Sequence, residues 1–221
     1  MGRSRTTGRM DTSSFKLEWH NLSLWRGDRC LQTGLSGSVS QGEAVTLRGP
    51  NGCGKTTLLR TLCGLSQAEE GKILWQDTVT HQIRAEFHAH LAYSGHVNGL
   101  KSDLTTRENL RFAAQMRGRH TNQNDLLQGL GLVACADLPV RNLSAGQRKR
   151  ASLALVLGSG TELWVLDEPY TNLDTAGCEW LSRRLSDHLA MGGLLLMAAH
   201  QGSGINPERE TLLELRELAN D

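Results

Sequence analysis

The sequence has no run of apolar residues long enough to cross a membrane. A membrane-spanning helix needs roughly 20 such residues, and the longest strongly apolar stretch, residues 194–199, is far shorter. No apolar segment of the secretory type occurs near the beginning of the sequence either. We therefore expect the chain itself to be soluble.

The chain also carries almost no net charge. Lys and Arg number 24, Asp and Glu number 23, and the formal net charge is +1. Acidic and basic residues are intermixed, so no strong field exists that could hold nucleic acid or an anionic bilayer by charge alone. Nucleic acid is therefore not an expected partner.

Cysteine pairs with the spacing of a metal or redox motif are missing. The cysteines are odd in number, and none forms a C-x-x-C motif. They are Cys30, Cys53, Cys63, Cys135 and Cys178. We expect reduced thiols in a cytosolic protein.

The first 14 residues have little apolar surface to bury. They are rich in Gly, Ser and Thr and hold three arginines against one aspartate, which predicts a flexible N-terminal tail. A short organelle transit peptide is the alternative, although the segment lacks an apolar helical face. With a chain of 221 residues and no internal repeat, residues 15–221 suffice for a single domain with one sizeable core.

Apolar spacing predicts a strand, a glycine-rich loop and a helix in succession. Alternating apolar residues over 15–25 predict a half-buried strand, and residues 44–48 predict a buried strand that ends at a glycine. Residues 55–65 have helical spacing, with Gly64 as a stop signal. Strand, loop and helix follow each other in the order that a phosphate-binding loop requires.

A helix-rich insert is predicted over approximately 97–158. Thr105 and Glu108 form a capping-box pattern at the start of a helix that Gly118 ends.

Buried strands follow this insert. Residues 161–166 and 194–198 are apolar runs that suit such strands, and 174–191 is a helix closed by Gly192 and Gly193. Strands that are buried on both faces and separated by helices predict an α/β fold with a parallel sheet.

The glycine-rich loop matches the phosphate-loop pattern G-x-x-x-x-G-K-[ST]. Glycines let its backbone amides turn closely around phosphates, and the following helix points its positive end at them. Lys55 is expected to reach the β- and γ-phosphates, and the hydroxyl of Thr56 is expected to bind Mg²⁺. The predicted ATP-binding residues of this loop are Gly49, Pro50, Asn51, Gly52, Cys53, Gly54, Lys55, Thr56 and Thr57.

Two acids follow the apolar run LWVL at 163–166. Asp167 is predicted to be a Mg²⁺ ligand, and Glu168 is predicted to polarise the attacking water. Taken singly, either acid could be a surface residue at a strand end. Their place after a phosphate loop favours the catalytic interpretation.

The string LSAGQ at 143–147 resembles the LSGGQ signature motif of the ABC ATPases, with Ala145 in place of the first glycine. Without the family, Ser144 predicts only a helix start. The resemblance implies that Ser144, Gly146 and Gln147 contact ATP bound by a second copy of the chain. It extends over about residues 15–200, because residues 172–174 match the D-loop and His200 matches the histidine that senses the γ-phosphate.

This resemblance implies a P-loop NTPase fold. It consists of a mostly parallel core sheet, an antiparallel β subdomain and a helical subdomain insert. It also implies hydrolysis of ATP with Mg²⁺ by two copies that meet head to tail.

The sequence departs from the family pattern at two places. His96, in the string AYSGH, stands where members usually carry a glutamine, and we include it among the catalytic candidates. Arg26 occupies the position of the aromatic residue that stacks on adenine, and a guanidinium can also stack on a purine. The alternative is that Trp25 belongs to the core and Arg26 is a solvated loop residue.

The segment GHVNGLKSDLTTRENL at 95–110 resembles the same loop of the ATP-binding subunits of cytochrome c maturation export systems (CcmA type). The basic run at 148–150 and Tyr170 agree with this resemblance. It implies a role in haem export or in release of a haem-loaded chaperone. It also implies partners at the cytoplasmic face of the inner membrane: an integral membrane permease of the CcmB type and other maturation proteins.

Other functions stay open at this stage. The chain could serve a transporter for another solute, or be a soluble ABC ATPase that acts on DNA or ribosomes, although it has neither heptad repeats nor a second phosphate loop. A regulator without turnover would be expected only if Asp167 or Glu168 were absent. We expect His81, His88 and His90 to be surface residues rather than haem ligands, since no C-x-x-C-H motif is present.

The histidine at position 96 predicts that ATP hydrolysis depends on pH through this side chain, because an imidazole changes charge near neutral pH and an amide does not. The ATPase pH profile of His96→Gln should therefore differ from that of the wild type. Identical profiles would contradict the prediction.

Overall fold

The computed structural model describes residues 14–95, 99–118, 122–199 and 204–218. Three sequence predictions lie outside this part of the chain: residues 1–13 of the N-terminal tail, His96 and His200. Ser14, the last residue of the predicted tail, is exposed.

Three strands open the described part of the chain, and helices then lie between later strands, with three helices in succession between the sixth and seventh strands. The strands are β1 (Lys16–Arg26), β2 (Arg29–Ser40), β3 (Ala44–Arg48), β4 (Glu70–Trp75), β5 (Thr78–Val79), β6 (Leu91–Ser94), β7 (Leu163–Asp167), β8 (Leu194–Ala198) and β9 (Glu210–Glu214). The helices are α1 (Lys55–Leu62), α2 (Arg84–Ala89), α3 (Thr106–Met116), α4 (Gln123–Gly129), α5 (Ala145–Leu157) and α6 (Thr175–Ala190). Short 3₁₀ turns lie at Val133–Cys135, Val140–Asn142 and Pro207–Arg209.

Two sheets form the framework. In the described part of the chain, the larger sheet has the strand order β6-β7-β8-β3-β9 and its neighbouring strands pair in parallel. The smaller sheet has the order β2-β1-β4-β5 and is antiparallel. The predicted parallel core sheet and antiparallel β unit are both confirmed.

The parallel sheet is covered on both faces. All residues of β7 and β8 are buried, which is why these strands read as continuous apolar runs rather than as alternating patterns. Along β7, Leu163 and Val165 face the core that includes α1 and the antiparallel sheet. Trp164 and Leu166 face the core formed with the helices α3 to α6.

Several predicted boundaries agree with the structure. Strands β3 and β8 have the predicted bounds, Asp174 caps α6 through the Gly177 amide, and the Thr105–Glu108 capping box begins α3. Helix α1 ends at Leu62 rather than at residue 65, because Gly64 adopts the left-handed conformation that ends a helix. Strand β7 begins two residues later than predicted.

The insert predicted over 97–158 contains α3, α4, two 3₁₀ turns and α5. Its last helix also contacts the parallel sheet, since the hydroxyl groups of Ser152 on α5 and Ser94 on β6 lie 3.4 Å apart. The division of the chain into a core and a helical subdomain stays a prediction.

A buried histidine stacks between α6 and β7. The rings of His188 and Trp164 are parallel at a centroid distance of 3.7 Å, and Nε2 of His188 lies 3.2 Å from the carbonyl oxygen of Leu194. Burial lowers the pKa of His188 from 6.5 to about 4 and outweighs the contact with the Leu194 carbonyl, which raises it. The imidazole of His188 is therefore neutral in the folded protein near pH 7, and it becomes protonated only at acid pH.

This histidine makes the free energy of unfolding depend on pH. The unfolded chain takes up a proton at position 188 below its ordinary pKa of 6.5, whereas the folded chain does so only near 4, so stability is lost as the pH falls through this window. From pH 7.5 to pH 5, His188 should remove about 2 kcal/mol of stability. Denaturant unfolding at the two pH values measures this loss.

The variant His188→Phe keeps an aromatic ring beside Trp164 but cannot titrate. Between pH 7.5 and pH 5, the variant should lose about 2 kcal/mol less stability than the wild type. Equal losses in the two proteins would rule out His188 as the titrating group.

Candidate functional site

The predicted phosphate loop lies between the carboxyl end of β3 and the start of α1. Gly49, Gly52 and Gly54 have φ angles of 141°, 85° and 108°, in the region that side chains with a Cβ rarely adopt. The loop is exposed at residues 50–52 and buried at Cys53 and Gly54. The loop therefore presents its tip outwards and fixes its base in the core.

Lys55 lies inside this loop. Its side chain is 6% exposed, and Nζ donates to the carbonyl oxygens of Gly49 at 2.7 Å and Pro50 at 2.9 Å. Thr56 and Thr57, on the first turn of α1, are half-buried. A cation enclosed by loop backbone beside a helix N-terminus gives a site for an anion such as a phosphate.

Gly49 is required by a close approach of the C-terminal segment. A Cβ at this position would lie 2.2 Å from the main-chain oxygen of Leu215 and 2.9 Å from the Sγ of Cys53. Leu215 follows β9, and its amide donates to the carbonyl oxygen of Arg48 at 2.8 Å. The segment around Leu215 therefore holds the main chain in place where β3 ends and the loop begins.

Gln32 on β2 is a site residue that the sequence did not reveal. Its side chain is 6% exposed, and Nε2 donates to the carbonyl oxygens of Cys53 at 2.9 Å and Arg216 at 2.5 Å. One amide group thus joins the antiparallel sheet, the phosphate loop and the C-terminal segment. No motif marks a glutamine for this role, because its partners are main-chain oxygens distant in sequence.

The acidic end of β7 meets the start of α1. Asp167 is 3% exposed, and its Oδ2 accepts a hydrogen bond of 2.8 Å from Oγ1 of Thr56. These two residues were the predicted Mg²⁺ ligands, and the structure brings their oxygens together. The pair fits Mg²⁺, which binds oxygen and is usually held in proteins by one or two such groups together with substrate phosphates and water.

Glu168 lies in a strained turn directly after Asp167. Its φ angle is 51°, a left-handed value that is uncommon for residues other than glycine and that clusters at functional sites. Its amide donates to the carbonyl oxygen of Ala198 at 2.9 Å, which continues the pairing of β7 with β8 by one residue. The side chain of Glu168 is half-buried.

The LSAGQ segment begins α5 through a full capping box. The hydroxyl oxygen of Ser144 accepts from the Gln147 amide at 3.2 Å, and the Ser144 amide donates to Oε1 of Gln147 at 2.8 Å. Ser144 and Ala145 are exposed, and a Cβ on Gly146 would lie 3.4 Å from Asn172 of the predicted D-loop. The side chain of Gln147 is engaged in this cap, and its contact with ATP stays a prediction.

The residues considered for adenine lie at the end of β1. Trp25 is 44% exposed, and Arg26 is exposed as well. The suggestion that Trp25 belongs to the core is therefore wrong, because β1 leaves the core where the hairpin to β2 begins. Stacking of Arg26 on adenine stays a prediction.

The three histidines of residues 81–90 have separate environments. His81 is exposed, as expected. The prediction that His88 and His90 lie at the surface is wrong, since both are half-buried. Nε2 of His88 lies 2.9 Å from the oxygen of Cys63 at the end of α1, and Nδ1 of His90 lies 2.8 Å from Oε2 of Glu162 just before β7. Over the described ranges, no cluster of His, Cys, Asp or Glu suited to a metal ion was found.

Comparison with protein families and curated proteins identifies relatives. The family model described as ABC transporter matches residues 32–171. The cytochrome c biogenesis ATP-binding export protein CcmA of Nitrosomonas europaea is 42% identical over 82% of this chain and 86% of the relative. The protein of the same name from Aromatoleum aromaticum is 44% identical over 90% of this chain and 94% of the relative.

Solved structures share the fold. An ATP-binding subunit of an ABC transporter superposes with a TM-score of 0.78 at 24% identity, covering 92% of this chain and 88% of the other. A putative ABC transporter ATP-binding protein from Pyrococcus furiosus has a TM-score of 0.72 at 22% identity, covering 90% and 97%. The predicted P-loop fold of the ABC type is confirmed.

Within the described ranges, no helix combines the length and apolar character needed to cross a bilayer.

The contact between Gly49 and the C-terminal segment gives a prediction for the phosphate loop. In Gly49→Ala, the added methyl group meets the Leu215 main chain and cannot fit without moving the loop, so ATP binding should weaken by about a hundredfold or more, on the scale of 3 kcal/mol. Titration with a fluorescent ATP analogue measures the dissociation constant.

Gly118→Ala is the matched control. Gly118 also has a positive φ, 60°, but a Cβ there meets no atom within 4 Å. This variant should show the backbone strain alone, with a lower melting temperature and unchanged ATP affinity. Wild-type affinity in Gly49→Ala would show that the loop does not need this close approach.

Proposed function

The chain belongs to the ABC transporter family, among the ATP-binding proteins of the CcmA type, and we propose from this membership that it powers a membrane complex for cytochrome c biogenesis. It is an ATPase of the transport-coupled kind. Its hydrolysis of ATP drives haem export or the release of a haem-loaded chaperone. The hydrogen bond between Thr56 and Asp167, which joins the phosphate loop to the acidic strand end, is the observation that carries the ATPase assignment.

The phosphate loop holds the nucleotide. Its amides and the enclosed Lys55 bind the β- and γ-phosphates, and Thr56 and Asp167 hold Mg²⁺. A Mg²⁺ ion held by these two residues would supply positive charge to neutralise the phosphate oxygens. Arg26, at the exposed end of β1, stacks on the adenine ring.

Hydrolysis requires an activated water. Glu168, which the left-handed turn holds beside Asp167, polarises this water. His200 contacts the γ-phosphate, and His96 takes the place of the usual glutamine. These two assignments rest on the matched sequence motifs.

A second copy completes each site. The exposed start of α5 presents Ser144, Gly146 and the positive end of the helix dipole to ATP held by the other copy. Two copies therefore meet head to tail around two ATP molecules. A single copy lacks half of each site and hydrolyses ATP slowly.

The complex assembles at the membrane. The ATPase binds a permease subunit of the CcmB type, together with other cytochrome c maturation proteins, at the cytoplasmic face of the inner membrane. The identity of 42% and 44% with two proteins named as cytochrome c biogenesis export proteins supports this placement.

A deletion strain tests both the process and the chemistry. Cells that lack this gene should lose all c-type cytochromes, and expression of the wild-type chain should restore them. The variant Glu168→Gln should fail to restore them, because an amide cannot act as a general base, and its ATPase rate should fall by about a hundredfold or more. Haem staining of cell extracts and phosphate release by the purified chain are the measurements.

Glu179→Gln is the control for loss of one carboxylate on this chain, since Glu179 lies on α6 outside the loop and the acidic turn. It should restore the cytochromes fully. A deletion strain with normal cytochromes would favour a transporter for another solute. Wild-type hydrolysis by Glu168→Gln would overturn the catalytic assignment.

A further inference from the structure

Lys149 joins the helix that carries the LSAGQ segment to the strand that carries the catalytic acids. Its Nζ donates to the main-chain oxygen of Asp167 at 2.6 Å. The side chain is half-buried, and burial lowers the pKa of Lys149, while the charges of Asp167 and Glu168 raise it. A partly desolvated ammonium group therefore lies beside both acids.

The peptide group between Asp167 and Glu168 is held at both of its polar atoms. Its N–H donates to Ala198 of β8 at 2.9 Å, and its C=O accepts from Lys149. The orientation of this peptide sets the φ angle of Glu168, which has the left-handed value of 51°. Such a value costs free energy and persists only where surrounding contacts impose it.

The two other basic residues of the same run make different contacts. Arg148 donates to the carbonyl oxygen of Leu143, and Arg150 donates to that of Leu130 at 3.0 Å. Both of these contacts stay within residues 122–157. Of the three, Lys149 is the one that reaches the end of β7.

Lys149 also lies close to the start of its helix. It follows Ser144 by five residues, which corresponds to about 7 Å along the helix axis. An α-helix of this length moves as a rigid unit, so a shift at the exposed LSAGQ segment would be passed to Lys149 with little loss. The side chain thus connects the helix with the exposed LSAGQ segment to the turn at Glu168.

We propose that Lys149 is a positioning residue that holds the Asp167–Glu168 peptide and thereby ties the catalytic acids of one ATP site to the helix that completes the other. The inference rests on the proposed two-copy ATPase. Binding of the second copy's ATP at Ser144 and Gly146 moves α5, and Lys149 passes this movement to Glu168. The two sites then hydrolyse ATP cooperatively.

The variant Lys149→Met tests the inference in the full chain purified with its membrane partner. The methionine fills similar space but cannot donate a hydrogen bond. We expect kcat to fall by about tenfold, on the scale of one lost hydrogen bond from a charged donor. The dissociation constant for ATP should stay unchanged, and the Hill coefficient for ATP should fall from above one to one.

Arg150→Met is the matched control, because it removes one basic side chain that donates to a main-chain oxygen from the same helix. It should lower the melting temperature as Lys149→Met does, yet retain kcat and cooperativity. An equal loss of kcat in the two variants would reduce Lys149 to a stabilising contact and overturn the inference. Wild-type kcat in Lys149→Met, or a Hill coefficient of one in the wild type, would overturn it as well.

These outcomes differ from a failure of the proposed function. If the wild-type complex hydrolyses no ATP in the same assay, the ATPase assignment fails. If the wild type is active and Lys149→Met matches it, only the role of Lys149 fails.

Discussion

Parallel pairing of β3, β8 and β7 is the constraint on which the rest of the site depends. The register aligns Leu47 with Ala198 and Ala198 with Asp167, so the predicted phosphate loop and the predicted catalytic acids lie at the same end of the sheet. Because both faces of these strands are buried, a one-residue shift in register would place their side chains in the opposite core, where they do not fit. The hydrogen bond between Thr56 and Asp167 follows from this alignment.

The phosphate loop is supported from outside its own motif. Gln32 of the antiparallel sheet and the chain after β9 both contact its base. The loop's amides are therefore held in place before any phosphate arrives, which reduces the ordering that binding would otherwise require. This support explains how an exposed loop tip can coexist with the buried positions of Cys53 and Gly54.

Helix α5 makes two different kinds of contact at two positions along its length. Its first residues form an exposed capping box that is suited to contact with a second copy, and Lys149 donates a hydrogen bond to the main chain of Asp167, directly before Glu168. The helix therefore has contacts consistent with the proposed coupling between association of two copies and the geometry of the acids. That coupling would limit hydrolysis to the assembled complex, where it can drive work at the membrane.

The sequence by itself determined the family and the bounds of β3 and β8, and it placed the glycine-rich loop before α1 and the acids Asp167 and Glu168 at the end of β7. These features rest on local spacing and on continuous apolar runs. The functions of the loop residues and of the two acids stay predictions. Tertiary structure alone decided the contacts of Gln32, Leu215 and Lys149 and the left-handed turn at Glu168. Their partners are main-chain atoms that lie far away in the sequence. Such contacts exist only once the sheets have formed, and the type of residue alone does not predict them.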